Sequence, residues 1–242
     1  MNPAPSPTQR DPAQVRGMFD AIAPRYDALN HLLSLGLDFG WRARLVREMG
    51  LSPGAKLLDV CAGTGDLALA FRGTKAVGCD FSLGMLGRGK AKGLTAAAGD
   101  ALRLPFKDGS FDAAVCAFGF RNTSDWALAA RELARVARPG GRVGILDFGM
   151  PEGALSGPYR FYLRSILPKL AGLLSRRGAY EYLQASVEHF HRTADVPGLL
   201  KAAGCSDVRR IPLTMGTAVI WTGVRGPGCA ASPASSRPSS AS

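Results

Sequence analysis

Three carboxylates and a pair of glycines recur along this chain at a spacing able to hold a nucleoside. Asp59-Val-Cys-Ala-Gly63-Thr64-Gly65-Asp66 follows an apolar run and opens a helix-like stretch. Gly63 and Gly65 let the backbone turn tightly and approach a ligand that a Cβ would exclude. Asp80 ends a second apolar run, where a carboxylate can accept both hydroxyls of a ribose. Asp100, followed by Ala101, ends a third, where a side-chain oxygen can accept an adenine amino group. A glycine-rich turn alone is common to many nucleotide-binding folds. Three such loops at the carboxyl ends of successive strands make the ligand crevice of an open α/β sheet.

The glycine loop bears on which nucleotide is held. A dinucleotide sets its pyrophosphate on the helix N-terminus, with a third glycine close behind. Here Asp66-Leu-Ala68 follows Gly65, which puts a carboxylate near the phosphate position. An anion is disfavoured there, whereas the sulfonium and amino group of S-adenosylmethionine are tolerated. Asp66 can equally be a helix-capping acid. The expected cofactor is S-adenosylmethionine, with a dinucleotide as the alternative.

The elements that must present these residues alternate. Lys56–Cys61, Ala76–Asp80, Leu94–Ala98, Phe111–Phe118 and Arg142–Phe148 read as strands. Asp66–Arg72, a stretch around Met85 and Leu86, and Ser124–Ala137 read as helices, the last closed by a turn at Arg138-Pro-Gly-Gly141. This spacing predicts a mostly parallel sheet with helices on both faces. A helix at Val196–Ala203 precedes two strands, Asp207–Pro212 and Ala218–Val224, able to form an antiparallel edge. Gly78 and Gly144 interrupt two strand patterns. Residues 153–193 break the alternation as a helical, amphipathic insertion before the last two strands. We expect one domain over 14–225, with 14–50 a helical lid. Residues 1–13, rich in proline, and 226–242, mostly Gly, Pro, Ala and Ser, are expected to be disordered.

The 242 residues carry a formal charge of +11 and are 46% hydrophobic. No run reaches the roughly 18 apolar residues of a membrane span, and the first residues lack the apolar core of a secretory signal. A cytoplasmic protein is expected, in peripheral contact at most with the inner face of the cell membrane. The five cysteines form no C-x-x-C pair, and Cys61, Cys79 and Cys116 lie in apolar runs, so they read as small buried side chains. Three histidines with such cysteines make a metal site improbable, and none is expected.

With these residues in place, the chain resembles the menaquinone and ubiquinone biosynthesis C-methyltransferases over about Val15 to Gly223. The resemblance rests on Phe19-Asp-Ala-Ile-Ala-Pro-Arg-Tyr-Asp27, Leu29-Asn30 and Trp41-Arg42. It continues through the glycine loop, Asp80-Phe81-Ser82 and Gly99-Asp100-Ala101 with Leu104-Pro105-Phe106. Its narrowest part is Phe118-Gly-Phe-Arg121-Asn122, followed by Arg138-Pro-Gly-Gly141, Leu183, Ser186 and Phe190. It implies a class I methyltransferase (Rossmann-like) fold with a seven-stranded sheet, S-adenosylmethionine as cofactor, and a polyprenyl quinol as substrate, demethylmenaquinol foremost. By that resemblance Thr64, Asp80 and the Asp100-Ala101 pair line the cofactor, and Asp59, Gly63, Gly65 and Phe81 complete the expected cofactor-binding set. Ala117 stands where some relatives have serine, so its contact must use backbone. Leu146-Asp147-Phe148-Gly149 replaces a usual Leu-Glu-Phe-Ser.

The implied chemistry attaches a methyl group to a ring carbon, which deprotonation of a ring hydroxyl makes nucleophilic. Arg121 and Asn122 follow the fourth strand and are the expected catalytic residues. Arginine is a poor base. Arg121 is expected to stabilise a phenolate and order the water that takes the proton, with Asn122 fixing the ring oxygen. A loop-bracing Arg121 is the alternative. Phe19–Tyr26 can form a lid over the sulfonium or simply pack, and His31 reads as a satisfied histidine. From Gly153 to Tyr180 no acid occurs, while Arg160, Arg164, Lys169, Arg176 and Arg177 interleave with apolar residues. That pattern suits a prenyl tail and anionic lipid headgroups. No base-flipping motif or basic aromatic groove points to nucleic acid. A ubiquinone-pathway benzoquinol, another small-molecule acceptor and a non-catalytic S-adenosylmethionine-binding module remain alternatives. The number of subunits stays open, a homodimer included.

Overall fold

Side chains alternate across a strand, so neighbours in one strand enter opposite layers. In β1 (Lys56–Val60), Leu57 joins one buried cluster while Leu58 and Val60 join the other. The computed structural model describes residues 15–17, 20, 21, 23, 27, 31, 34–151, 157 and 177–227. The expectations for 1–13, for Phe19, Arg25 and Tyr26 of the lid, for the basic stretch Arg160 to Arg176, and for 228–242 with Cys229 lie outside the described residues.

After α1 (Leu37–Met49) and β1 come α2 (Asp66–Ala70), β2 (Lys75–Asp80), α3 (Leu83–Ala91), β3 (Thr95–Ala98) and β4 (Phe111–Ala117). A 3-10 turn at Phe120–Asn122 leads to α4 (Trp126–Val136) and β5 (Ala137–Phe148). The last described elements are α5 (Arg177–Thr193), α6 (Val196–Ala202), β6 (Cys205–Leu213) and β7 (Ala218–Arg225). The strands form one sheet in the order β3-β2-β1-β4-β5-β7-β6. β1 to β5 pair in parallel, and β7 runs antiparallel to both its neighbours. The expected mostly parallel seven-stranded sheet is present.

Helices cover both faces. On one, Trp41, Leu45 and Met49 of α1 and Leu67 of α2 pack with Leu57, Val115, Leu146 and Ile220. On the other, Leu133 of α4, Phe190 of α5 and Leu200 of α6 pack with Leu58, Cys116 and Ile145. Caps fix where helices start: Ser82 accepts from the Met85 N–H, and Asp125 from the Leu128 N–H. The strand glycine at 144 has a packing reason. A Cβ there would lie 2.7 Å from the Met49 sulfur, so α1 seats directly on β5.

Two features depart from expectation, and the final strand pair follows it. No turn separates α4 from β5; Ala137 already pairs with Phe111, and a register shift between Phe111 and Ala113 absorbs the Pro-Gly-Gly segment. The last two strands pair antiparallel at one end of the sheet, as expected, with β7 on the inner side between β5 and β6. Within 14–50, Leu37–Met49 is a core helix rather than a lid, with Leu45 and Met49 fully buried.

Candidate active site

β1 is flanked by β2 and β4, so successive crossovers leave it in opposite directions and their loops diverge above its carboxyl end. A cleft of about 760 Å³, counting the part open to solvent, lies there. Gly63, Asp80, Phe81, Asp100, Ala101, Ala117 and Asn122 line it together. A smaller crevice of about 310 Å³ adjoins it and holds Asp59 and Thr64, with Cys61, Ala117 and Phe118 common to both. Gly65 lines neither and begins α2 with φ 85°.

The chain leaves β1 and β4 through two non-glycine residues in left-handed conformation, Cys61 (φ 56°) and Phe118 (φ 57°). Such strain gathers where surrounding structure over-determines it. Here the cause is contact between the two loops: a Cβ on Gly119 would lie 2.3 Å from the Cβ of Cys61. Only glycine allows that approach.

Asp80 is held from below. Its Oδ2 accepts from the Gly63 N–H at 2.8 Å and its Oδ1 from the Ser82 N–H at 2.9 Å. A carboxylate has about four lone-pair sites, so with a further backbone bond from Phe81 capacity still remains for a ligand hydroxyl. Burial raises the Asp80 pKa despite these backbone bonds. Asp59 is fully buried; its Oδ2 accepts from the Ala68 N–H at 3.0 Å, while Oδ1 has no partner. Burial pushes its carboxyl up to about 8. An orphaned acid oxygen beside the glycine loop is a place for a cationic group to bind. Asp100 turns its loop by accepting from the Leu102 N–H at 2.9 Å.

Asp66 does not face the larger cleft. Its carboxylate meets Lys92 at 2.8 Å, His31 at 3.7 Å and Arg42 at 3.9 Å. Lys92 and Arg42 offset part of its charge where it lines the smaller crevice beside Asp59. His31 also bonds Asp38 at 2.9 Å and is satisfied, as expected. The same cluster fastens the N-terminal segment. Asp27 accepts from the Thr64 hydroxyl and pairs with Lys92 at 2.6 Å, and Asp20 accepts from the Ser82 hydroxyl. Burial opposes both charges of the Asp27–Lys92 pair, yet their bonding outweighs it, lowering the Asp27 pKa and raising that of Lys92. Val15, 3% exposed, lines the larger cleft from this segment.

Arg121 is the main correction. Instead of lining either crevice it lies 5% exposed beneath the loop, its guanidinium 2.7 Å from Asp147 and bonded to the Phe118 carbonyl. The Arg121 N–H also donates to Asp147, at 3.0 Å. Asp147, fully buried, thus braces both backbone and side chain of this turn. Asn122 does face the cleft, its Oδ1 3.2 Å from the Tyr182 hydroxyl.

Sequence reading missed the cleft residues Cys61, Phe118, Thr123 and Ser124 and the Tyr182 contact. Their only signal was adjacency to the glycine loop and to Arg121-Asn122. Cys79 and Cys116 are buried as read, whereas Cys61 is half-buried and lines both crevices; a bond to Cys116 and burial push the Cys61 thiol well up, and burial carries Cys79 up to about 12. Among the described residues no group of side chains could hold a metal ion.

A family model described as the ubiE/COQ5 methyltransferase family matches residues 7–225. A demethylmenaquinone methyltransferase of Thermus thermophilus is 47% identical over 221 residues, covering 86% of this chain and 100% of that protein. One from Mycolicibacterium vanbaalenii is 44% identical over 212 residues, covering 86% of this chain and 93% of that one. A ubiquinone/menaquinone biosynthesis C-methyltransferase of a Geobacter species is 40% identical, covering 88% of this chain and 96% of its own. Among solved structures, magnesium protoporphyrin IX methyltransferase from Synechocystis, with bound S-adenosylhomocysteine, superposes with a TM-score of 0.60. At 19% identity over 89% of this chain and 100% of that one, the likeness is one of fold.

Proposed function

Because this chain belongs to the ubiE/COQ5 methyltransferase family, we propose that it transfers a methyl group from S-adenosylmethionine to a ring carbon of demethylmenaquinol, giving menaquinol. The observation that carries the cofactor assignment is the pairing of a nucleoside-sized cleft with an adjoining crevice whose buried Asp59 oxygen lacks a partner. The residues present fit the group. Asp80 takes the ribose hydroxyls, Asp100 the adenine amino group beside Phe81 and Ala101, and Asp59 the ammonium end. Gly63 permits close approach, Ala117 offers backbone, and the Thr64 hydroxyl, already committed to Asp27, shapes the loop. S-adenosylmethionine, when bound, supplies a methyl group on a cationic sulfur that a ring carbon can attack.

The protein's own task is then to make that carbon nucleophilic and to hold it still. Asn122, in the cleft, donates its amide N–H to the ring oxygen and stabilises the phenolate. Arg121 acts one step removed, holding the Phe118 carbonyl and Asp147 so that the turn carrying Asn122 keeps its shape. Among the described residues lining the cleft, the only carboxylates are Asp80 and Asp100, both on the nucleoside side. We therefore assign removal of the ring proton to water.

The prenyl tail and the +11 charge support a working place on the cytoplasmic face of the membrane, in peripheral contact with anionic lipid. No described helix is long and apolar enough to cross a membrane. The test is mass spectrometry of quinones from cells lacking the protein. Accumulation of a menaquinone short by one methyl, reversed by the purified protein with S-adenosylmethionine, is expected. An unchanged quinone pool, or a Tm raised by NAD and not by S-adenosylmethionine, overturns the reading. Binding without a methylated product would mark a non-catalytic module.

A further inference from the structure

Asn122 can serve a ring oxygen only if its amide presents nitrogen rather than oxygen, and the two ends of an amide are nearly equal in shape. One neighbour sets the sense of the amide and a second holds it there. The Phe118 carbonyl oxygen, a pure acceptor, lies 3.4 Å from Asn122 Nδ2, and the Tyr182 hydroxyl donates to Asn122 Oδ1 at 3.2 Å. With its oxygen engaged and one N–H turned to Phe118, the remaining N–H is what the residue has to offer the cleft. A flipped amide would set two carbonyl oxygens against each other at Phe118, so that carbonyl fixes the sense of the amide, and the Tyr182 hydroxyl, able to donate or accept, then holds Oδ1 in place. Resting on the reading above, in which Asn122 serves the quinol, we propose that Tyr182 is a positioning residue that locks the Asn122 amide with its donor toward the ring oxygen.

The helix that carries Tyr182 is itself seated on this turn. Tyr182 is 3% exposed on α5. Further along α5, Phe190 packs edge-on against Phe120, ring centroids 6.2 Å apart, and against Trp126 at 5.2 Å. The Trp126 indole N–H donates to the Arg121 carbonyl at 3.3 Å. Ser186, buried between Tyr182 and Phe190, returns its hydroxyl to the Leu183 carbonyl and so presents no polar atom in need of a partner to this interface. Phe190, part of the pattern picked out in the sequence, thus packs α5 against Phe120, and Tyr182 adds a polar contact to Asn122. A network in which each member is satisfied fixes orientation in a way that apolar packing does not.

The experiment compares Tyr182→Phe, Asn122→Ala, the double variant and Asn122→Asp in the full chain, with a short-tailed demethylmenaquinol. Tyr182→Phe is expected to lower kcat about tenfold and to move the pH dependence of kcat upward, since the phenolate is less well stabilised. Its Tm and its calorimetric Kd for S-adenosylhomocysteine should match the parent. Adding Tyr182→Phe to Asn122→Ala should cost nothing further, because the hydroxyl acts through the amide. Asn122→Asp, which keeps an acceptor for Tyr182 but loses the N–H, should fall to the level of Asn122→Ala. Additive losses in the double variant, an unchanged kcat in Tyr182→Phe, or a loss matched by weaker S-adenosylhomocysteine binding and a lower Tm would each overturn the proposal. Full activity in Asn122→Ala would remove the reading of Asn122 itself and the proposal with it. A crippled Asn122→Ala beside a fully active Tyr182→Phe removes the proposal alone.

Discussion

Burial lifts the Asp59 carboxyl from its ordinary 3.8 to about 8, so the ligand-free protein keeps a proton there at neutral pH. A carboxyl whose folded pKa is raised favours the folded state least where it must ionise: the cost begins near pH 4 and grows until about pH 8. Asp59→Asn removes that cost. It should raise stability by the order of a few kcal/mol at pH 8 and by almost nothing at pH 4, as read by urea midpoints. An equal gain at both pH values would contradict the assignment. An ammonium group arriving at Asp59 needs the carboxylate, so binding of S-adenosylmethionine should release a proton and weaken as pH falls below 8. Calorimetry in buffers of different ionisation enthalpy reads this directly, and a heat that does not change with buffer argues against it. Asp147 makes the opposite case, a carboxylate already paired. Asp147→Ala leaves the Arg121 guanidinium buried with one partner fewer. A loss of about 3–5 kcal/mol in chemical denaturation is expected; a loss below 1 kcal/mol would show that solvent reaches Arg121. Spacing alone located Asp59, Asp80 and Asp100, because strand ends must converge on the crevice. It did not reveal that Arg121 turns inward, since the direction of a side chain leaving a loop depends on Asp147, 26 residues away.

The N-terminal segment and the glycine loop are tied by Asp27, Thr64, Lys92 and Asp66, groups too far apart in sequence to be seen as a unit. Each ion pair is about one-third exposed or less and contributes about 1 kcal/mol or below. Lys92→Met loosens both together. It should speed S-adenosylmethionine dissociation roughly fivefold in stopped-flow measurements while leaving kcat within about twofold; an unchanged dissociation rate would show that this segment does not retain the cofactor. At Gly119 the constraint is steric. Gly119→Ala should lower Tm and S-adenosylmethionine affinity together, because the Cys61 and Phe118 loops must separate to admit a methyl group. The strands and helices around the crevice were legible, since apolar alternation survives even with Gly78 and Gly144 in place. Pro-Gly-Gly was read as a turn on its local preferences. Pairing of Ala137 with Phe111 overrode them, a contact that no short window contains.

At the level of the whole molecule, the positive charge and the proposed prenylated substrate point the same way. The protein should co-float with vesicles containing anionic lipid and be released by about 0.5 M salt, since screening shortens the reach of surface charge to a few ångströms; flotation that ignores lipid charge would argue against an electrostatic attachment. The parallel core of the sheet and its antiparallel final pair could be foreseen from the order of elements, but which strand of that pair lies inside could not, because the seating of β7 between β5 and β6 is decided by edges that meet late.

That late meeting has a consequence for synthesis. Ala218–Arg225 is translated last of the described strands yet sits inside the sheet, with Arg142–Phe148 on one side and Cys205–Leu213 on the other. A ribosome that stalls or terminates before Ala218 releases a chain with two bare strand borders and a hydrophobic gap between them. Such a product is a ready template for aggregation. Premature stops in this gene should therefore yield insoluble or rapidly degraded protein even when they fall beyond every residue of the active site.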